Sequence, residues 1–161
     1  LPQPAIPKDY LEPLQEAREI YSLGNPSTIS LHGVEVLTFH GRSLDDIAAF
    51  APNVSFDTPD KSMKLLLKAR HLAPIYRERT PNAPEKRDFM VIERPPDILH
   101  AGHVHILKFN KYRGTLIINS GAWQEQTDFQ QKMGLVPTPG IVPIVNLQKS
   151  TISTLNFTEP L

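Results

Sequence analysis

Ile98-Leu99-His100-Ala101-Gly102-His103-Val104-His105 is the stretch on which the reading of this chain turns. Its first four residues form a short apolar run of the kind that makes a buried strand, and Pro95-Pro96-Asp97 punctuates its start. The strand runs straight into Gly-His-Val-His. Side chains of an extended segment alternate with period two, so His103 and His105 are expected on one side, with Val104 turned toward the packing. Two imidazoles presented together, each with a nitrogen lone pair, suit Zn, Mn, Fe or Ni. Gly102 would let the backbone turn tightly or approach an ion. His100 is out of phase with His103, and three roles are open to it: structure, support of a ligand from behind, or substrate contact.

A bare His-x-His pair also arises by chance, as two exposed histidines in a loop. Three features weigh against that here. The pair follows an apolar strand, a glycine introduces it, and an earlier β-rich run, Val34–Phe39, ends in His40-Gly41. Two strand ends delivering three histidines to one rim read as an assembled site, placed where α/β folds hold ligands.

Toward the N-terminus, Thr28–Leu31 and Val34–Phe39 flank His32-Gly33 and predict a hairpin, which leaves His32 an ordinary surface residue. Ser43 is a candidate cap for a short helix, with Asp46 placed to complete a capping box. Asp45 and Asp46 read as capping residues at least as readily as ligands, and Asp97 lies at the wrong end of its strand. Arg42, beside His40, either contacts a phosphate or forms an exposed ion pair. Thr58-Pro59 opens a second helix with Met63, Leu66, Leu67 and Arg70 along a largely apolar face, limited by Pro74. After a proline-rich lead-in, Asp9 would cap a helix from about Tyr10 to Leu23, closed by Gly24-Asn25-Pro26.

Toward the C-terminus, Phe89–Ile92 reads as a short buried run. Ile106–Tyr112 and Thr115–Asn119 flank Arg113-Gly114 as a second hairpin, and Ile141–Leu147 and Thr151–Phe157 are strands. Residues 77–88 are charged and broken by proline, which predicts an exposed, mobile loop. Trp123, the sole tryptophan, is either a core or rim aromatic or a stacking contact for a subunit or an unpaired nucleotide. The sum is an α/β chain whose residues 1–161 form part of one domain, without internal repeats.

Composition bounds the chemistry. The 17 basic and 17 acidic residues cancel, so no long-range positive field steers nucleic acid; local patches or another subunit would have to hold it. Cysteine is absent, which excludes thiolate nucleophiles, disulfides and Cys-based zinc sites and fits a reducing, cytoplasmic setting. No apolar run reaches the ~18–20 residues needed to cross a bilayer, so no membrane association is expected. The 16 prolines, about twice the usual share, read as rigid loop punctuation. The opening Leu1-Pro2 looks like the blunt start of an excised or partial chain.

Four runs carry a specific resemblance. His40-Gly41-Arg42-Ser43-Leu44-Asp45-Asp46-Ile47, Arg70-His71-Leu72-Ala73-Pro74, Gly102-His103-Val104-His105 and Asn119-Ser120-Gly121-Ala122-Trp123-Gln124 together resemble the small subunits of archaeal family-D DNA polymerases. These belong to the calcineurin-like metallophosphoesterases. The Gly-His-x-His run marks the superfamily and the other three narrow it. The resemblance spans essentially the whole chain, as the C-terminal portion of the phosphoesterase domain. It implies a four-layer α-β-β-α sandwich, incomplete without the preceding segment.

It also implies two divalent metal ions, with Mn foremost for catalysis and Mg, Zn, Fe or Ni as alternatives. His40 and His103 would help bind the second ion and His105 the first, so the three would be catalytic through the metals. The Asp-x-His, Gly-Asp and Gly-Asn-His motifs of the pattern are not in this chain. The bridging carboxylate and the leaving-group acid are therefore expected from the N-terminal segment of the domain, whether continuous with this one or a separate chain. Alone, this chain is expected to be inactive.

The implied activity is 3′→5′ exonuclease proofreading at a DNA primer 3′ end, beside the large catalytic subunit of a polymerase. His100, Arg42 and Trp123 remain candidates for phosphate or substrate contact. The run around His71 also resembles one in eukaryotic B-subunits that have lost the metal-binding histidines, which implies an architectural role. The alternative is a noncatalytic B-subunit scaffold docking the large chain; a pure scaffold has no chemical need of all three histidines. An unrelated small-molecule phosphoesterase is a third reading.

Overall fold

The computed structural model describes residues 1–11 and 20–158. In chain order the elements are β1 (Ser27–Leu31), β2 (Val34–Phe39), α1 (Leu44–Phe50), α2 (Pro59–Ala69), β3 (Ile98–Ala101), β4 (Leu107–Tyr112), β5 (Thr115–Ser120), α3 (Asp128–Lys132), β6 (Ile141–Asn146) and β7 (Thr151–Asn156). A 3-10 turn at Lys8–Tyr10 precedes them.

Both expected hairpins form for the expected reason. His32 and Gly33 have φ of 51° and 83°, and Arg113 and Gly114 have φ of 49° and 93°. Two central residues at positive φ match the right-handed twist of the strands they join. The five-stranded sheet has the order β1-β2-β3-β5-β4, with a separate pair β6-β7. β2, β3 and β5 run parallel at its centre, and β1 and β4 pair antiparallel on the edges.

A parallel strand alternates between two buried faces, and the apolar residues here divide accordingly. Leu37, Phe39, Leu99, Ala101 and Ile117 join Leu44, Ile47, Met63, Leu66 and Leu67 of α1 and α2 in the main core. Val36, Ile98, Leu116 and Ile118 make a second cluster, with Val145, Leu147 and Ile152 packed against it. The expected α/β class is what the structure shows. Among the described residues no helix is long and apolar enough to cross a membrane.

Several local expectations need correction. Most of the helix expected from Tyr10 to Leu23 lies outside the described residues, but residues 20–24 are not helical. The capping box at α1 does not form, because Ser43 is turned inward to donate to the Leu72 carbonyl. Asp46 is buried and accepts from Arg79 N at 2.9 Å and Thr80 Oγ1 at 2.5 Å. Within the exposed 77–88 loop, Thr80 is thus fully buried and tethered to α1. Phe89–Ile92 is not a uniformly buried run: Met90 and Ile92 are buried while Phe89 and Val91 are exposed, and Val91 bridges to His71. The short helix α3 was not anticipated, although Thr127 and Gln130 form a genuine capping box and stand at that spacing in the sequence.

Candidate metal centre

The site is assembled by strand register. Phe39 of β2 lies opposite Ala101 of β3, so His40 and Gly102 leave the sheet side by side at the carboxyl ends of parallel strands. Gly102 N donates to the His40 carbonyl at 3.2 Å, continuing the ladder one step past the strands. Asn25 Oδ1 accepts from His40 N at 2.8 Å and fixes the other side of that backbone. The rings of His40 and His103 meet with centroids 4.9 Å apart.

The loop that carries the histidines differs from the extended segment expected. Residues 103–106 are a bend, and His103 itself has φ of 65°. Val104 N donates to the Gly102 carbonyl at 2.7 Å, closing a γ-turn centred on His103. The period-two argument for placing His103 and His105 together therefore does not apply. The glycine requirement also shifts. A Cβ on Gly102 would make only an ordinary contact, whereas one on Gly41, at φ of 100°, would lie 2.7 Å from the Gly102 carbonyl oxygen and 3.2 Å from His103 Cβ. Gly41 is what lets the two strand ends close on each other.

Val104 packs into the main core as expected. Asn119, fully buried on β5, donates through Nδ2 to the carbonyls of Val104 and Ile106, both at 2.7 Å. Thr138 adds two ties: its N–H donates to the His105 carbonyl at 2.9 Å, and its Oγ1 accepts from Leu107 N at 2.6 Å. The segment around His105 is thus held from both sides. His105 Nδ1 is buried and has no hydrogen-bond partner among the described residues.

Electrostatically, the rim is an acid among bases. Asp45 Oδ1 lies 3.0 Å from His103 Nε2, and Oδ2 lies 3.0 Å from an Arg42 guanidinium nitrogen. Asp45 is therefore no helix cap, and Arg42 is an ion-pair partner. Burial opposes ionisation of Asp45, but the hydrogen bond from His103 and the charges of His103, Arg42 and Arg79 outweigh it and hold the carboxyl below its ordinary range. His40 is lowered too, first by burial and then by the charges of His103 and Arg42. It therefore keeps its lone pair available at lower pH than a free imidazole does.

Other candidates sit apart. His100 faces the opposite side of the sheet from Leu99 and Ala101, opposite Thr38, and lines a cavity of about 420 Å³ with His40, Asn25 and Gln3. Trp123 is 68% exposed and stacks on Phe157 with centroids 5.3 Å apart. His71 is structural: its Nδ1 accepts from Ala73 N at 2.9 Å, so Nε2 carries the proton and donates to Asp88 at 2.9 Å. Asp97 accepts from Glu35 N at the far end of the sheet, as its position required. Among the described residues no three His, Cys, Asp or Glu side chains stand close enough to hold a metal ion. Sequence reasoning missed Asn25, Gly41, Asn119 and Thr138 as supports, and it left Asp45 between cap and ligand without foreseeing its contact with His103.

His100 gives a pH test. Burial lowers its pKa, so between that value and the unfolded value of about 6.5 the unfolded chain binds more protons than the folded one. Stability should therefore fall as pH drops below about 6.5 and level off above it. Urea midpoints at acid and neutral pH should differ less in His100→Gln than in the wild type; identical differences would dismiss the half-buried neutral imidazole.

A family model for the B-subunits of DNA polymerases alpha and epsilon matches residues 1–111. The chain belongs to that family. It is 51% identical over 145 residues to the DNA polymerase II small subunit of Methanothermobacter thermautotrophicus, covering 90% of this chain and 30% of that protein. Its identity to the DNA polymerase II small subunit of Methanocaldococcus jannaschii is 48% over 148 residues, covering 92% and 25% respectively. The Pyrococcus horikoshii DNA polymerase II small subunit is 41% identical over 160 residues, covering 99% and 26%. This member of the B-subunit family thus spans between 25% and 30% of the length of those three relatives. The resemblance to archaeal polymerase small subunits is borne out. Among solved structures, one described as a novel archaeal phosphodiesterase overlays with a TM-score of 0.40 at 15% identity, over 92% of this chain and 58% of that one.

Proposed function

We propose that this chain carries the late histidine ligands of a two-metal phosphodiesterase site, in the C-terminal part of a four-layer phosphoesterase sandwich. The site would serve as the 3′→5′ proofreading exonuclease of a DNA polymerase small subunit. The observation that carries this reading is the meeting of His40 and His103 at the ends of adjacent parallel strands, with His103 held at φ of 65°.

The donors suit divalent cations in type but not in number, since no three His, Cys, Asp or Glu side chains meet among the described residues, and the remaining ligands would have to come from elsewhere. His40 and His103 offer imidazole nitrogens at one rim, and the buried, unpartnered Nδ1 of His105 is a polar atom that a cation or a water would satisfy. Held there with the help of further ligands, two divalent cations would supply charge neutralisation at a phosphodiester and a hydrolytic water of lowered pKa. His40, His103 and His105 act as holders rather than nucleophiles. Arg42 borders the rim with its guanidinium 43% exposed, where it can meet a phosphate oxygen while still paired to Asp45. The bridging carboxylate and the leaving-group acid come from the N-terminal segment of the same domain. Primer DNA and a large polymerase subunit are the partners this reading requires.

A scaffold reading draws on a different observation. Trp123, Phe129, Met133, Val136 and Phe157, all at the C-terminal end of the chain, are each more than half exposed, a composition suited to docking a large chain. Anomalous scattering from Mn-soaked crystals of the complete small subunit separates the two. The nuclease reading expects two ions about 3.5–4 Å apart, with His40 and His103 at one and His105 at the other. An ordered site empty of Mn would leave the scaffold.

A further inference from the structure

We propose that Asp45 is the positioning residue for His103, accepting the proton-bearing Nε2 so that Nδ1 is the nitrogen offered to a divalent cation. This rests on the two-metal reading above. An ionised carboxylate can only accept hydrogen bonds, so the 3.0 Å contact between Asp45 Oδ1 and His103 Nε2 requires the proton on Nε2. In the neutral ring the lone pair then belongs to Nδ1. Metal-binding histidines nearly always give their other ring N–H to such a partner, which fixes both tautomer and ring orientation.

The geometry is built to last. Asp45 sits in the first turn of α1, which Leu44 and Ile47 anchor in the main core. Its second oxygen is held 3.0 Å from Arg42, so neither the carboxylate nor the imidazole is free to rotate. The side chains of His103 and Asp45 are 21% and 15% exposed, which shields their bond from water. Capping does not explain Asp45, since α1 has no side-chain cap. The two residues lie 58 positions apart and meet only because α1 follows β2 directly while β2 and β3 run parallel in register.

The test uses the complete small subunit and Mn²⁺ as probe. Calorimetric titration of the wild type should show two ions. Asp45→Asn should weaken one of them about 10–100-fold and leave the other as in the wild type. Arg42→Ala, which loosens Asp45 without touching His103, should weaken the same ion by a smaller factor and serves if Asp45→Asn does not fold. In metal-free protein labelled with ¹⁵N-histidine, His103 should show the Nε2-protonated tautomer in the wild type and a mixture in Asp45→Asn. Unchanged Mn²⁺ affinity and an unchanged tautomer in Asp45→Asn would overturn the role of Asp45 and leave the two-metal reading standing. An Asp45 oxygen bonded to Mn in a loaded crystal would overturn it in favour of a direct ligand. A wild type that takes up no Mn²⁺ would overturn the two-metal reading itself, and this role with it.

Discussion

Replacing His103 with glycine in the complete small subunit is expected, on the proposed two-metal nuclease reading, to reduce exonuclease activity to background and empty one metal position while leaving the fold intact. The separation of function from stability follows from the backbone. His103 sits at φ of 65°, a conformation that costs an L side chain ~1–2 kcal/mol and glycine almost nothing. Glycine loses the Asp45 hydrogen bond and the ring contact with His40, whose rings are 4.9 Å apart. A hydrogen bond to a charged group contributes about 1.5–3 kcal/mol, toward the lower end for side chains 21% and 15% exposed. The two effects nearly cancel, so the unfolding midpoint should move little in either direction. His103→Ala keeps the strain and loses the same contacts, so it should be the less stable of the two variants and equally inactive. Denaturation curves beside a primer-degradation assay decide it. Wild-type activity in either variant would remove His103 from the site, and activity lost only together with the fold would make it a structural residue.

What could be read from residues alone divides along a physical line. Period-two patterning, turn pairs and proline punctuation are local signals, and they located both hairpins, the β3 run and the strand-end histidines. The meeting of His40 and His103 also followed, because two strand ends in one α/β sheet lie on the same rim. Orientation beyond the strand ends was not legible. His103 takes a γ-turn because Val104 is drawn into the core and its N–H turns back to Gly102, and nothing in the alternation of Gly-His-Val-His distinguishes that from an extended strand. Asp45 looked like a cap because capping is decided within four residues, while its true partner lies 58 positions away. Thr127 and Gln130 have the spacing of a capping box but lack the apolar run after them that marks a helix.

Asn119 is the other residue whose replacement should tell most. It is fully buried in β5, and its amide nitrogen satisfies the carbonyls of Val104 and Ile106 on either side of His105. Its own Oδ1 has no hydrogen-bond partner among the described residues, so the residue serves the site through its two donors. Asn119→Leu has nearly the same shape and supplies neither. Two buried carbonyls would then be left without that partner, at ~1–3 kcal/mol each before relaxation. A net loss of about 2–4 kcal/mol is expected, since some of that cost is recovered by burying the leucine. The damage should be directional. With the clamp gone the 103–106 bend keeps the Thr138 ties, the Asp45 contact and the packing of Val104 but loses its anchor to β5, and the histidines lose their fixed spacing before the sheet loses its order. Hydrogen exchange should show the loop opening at a lower free energy than β3 and β5, with Mn²⁺ binding weakened in step. Stability unchanged within ~0.5 kcal/mol would mean that water replaces the amide at both carbonyls, and that the rigidity of the His103–His105 loop comes from Thr138 and the core contact of Val104 instead.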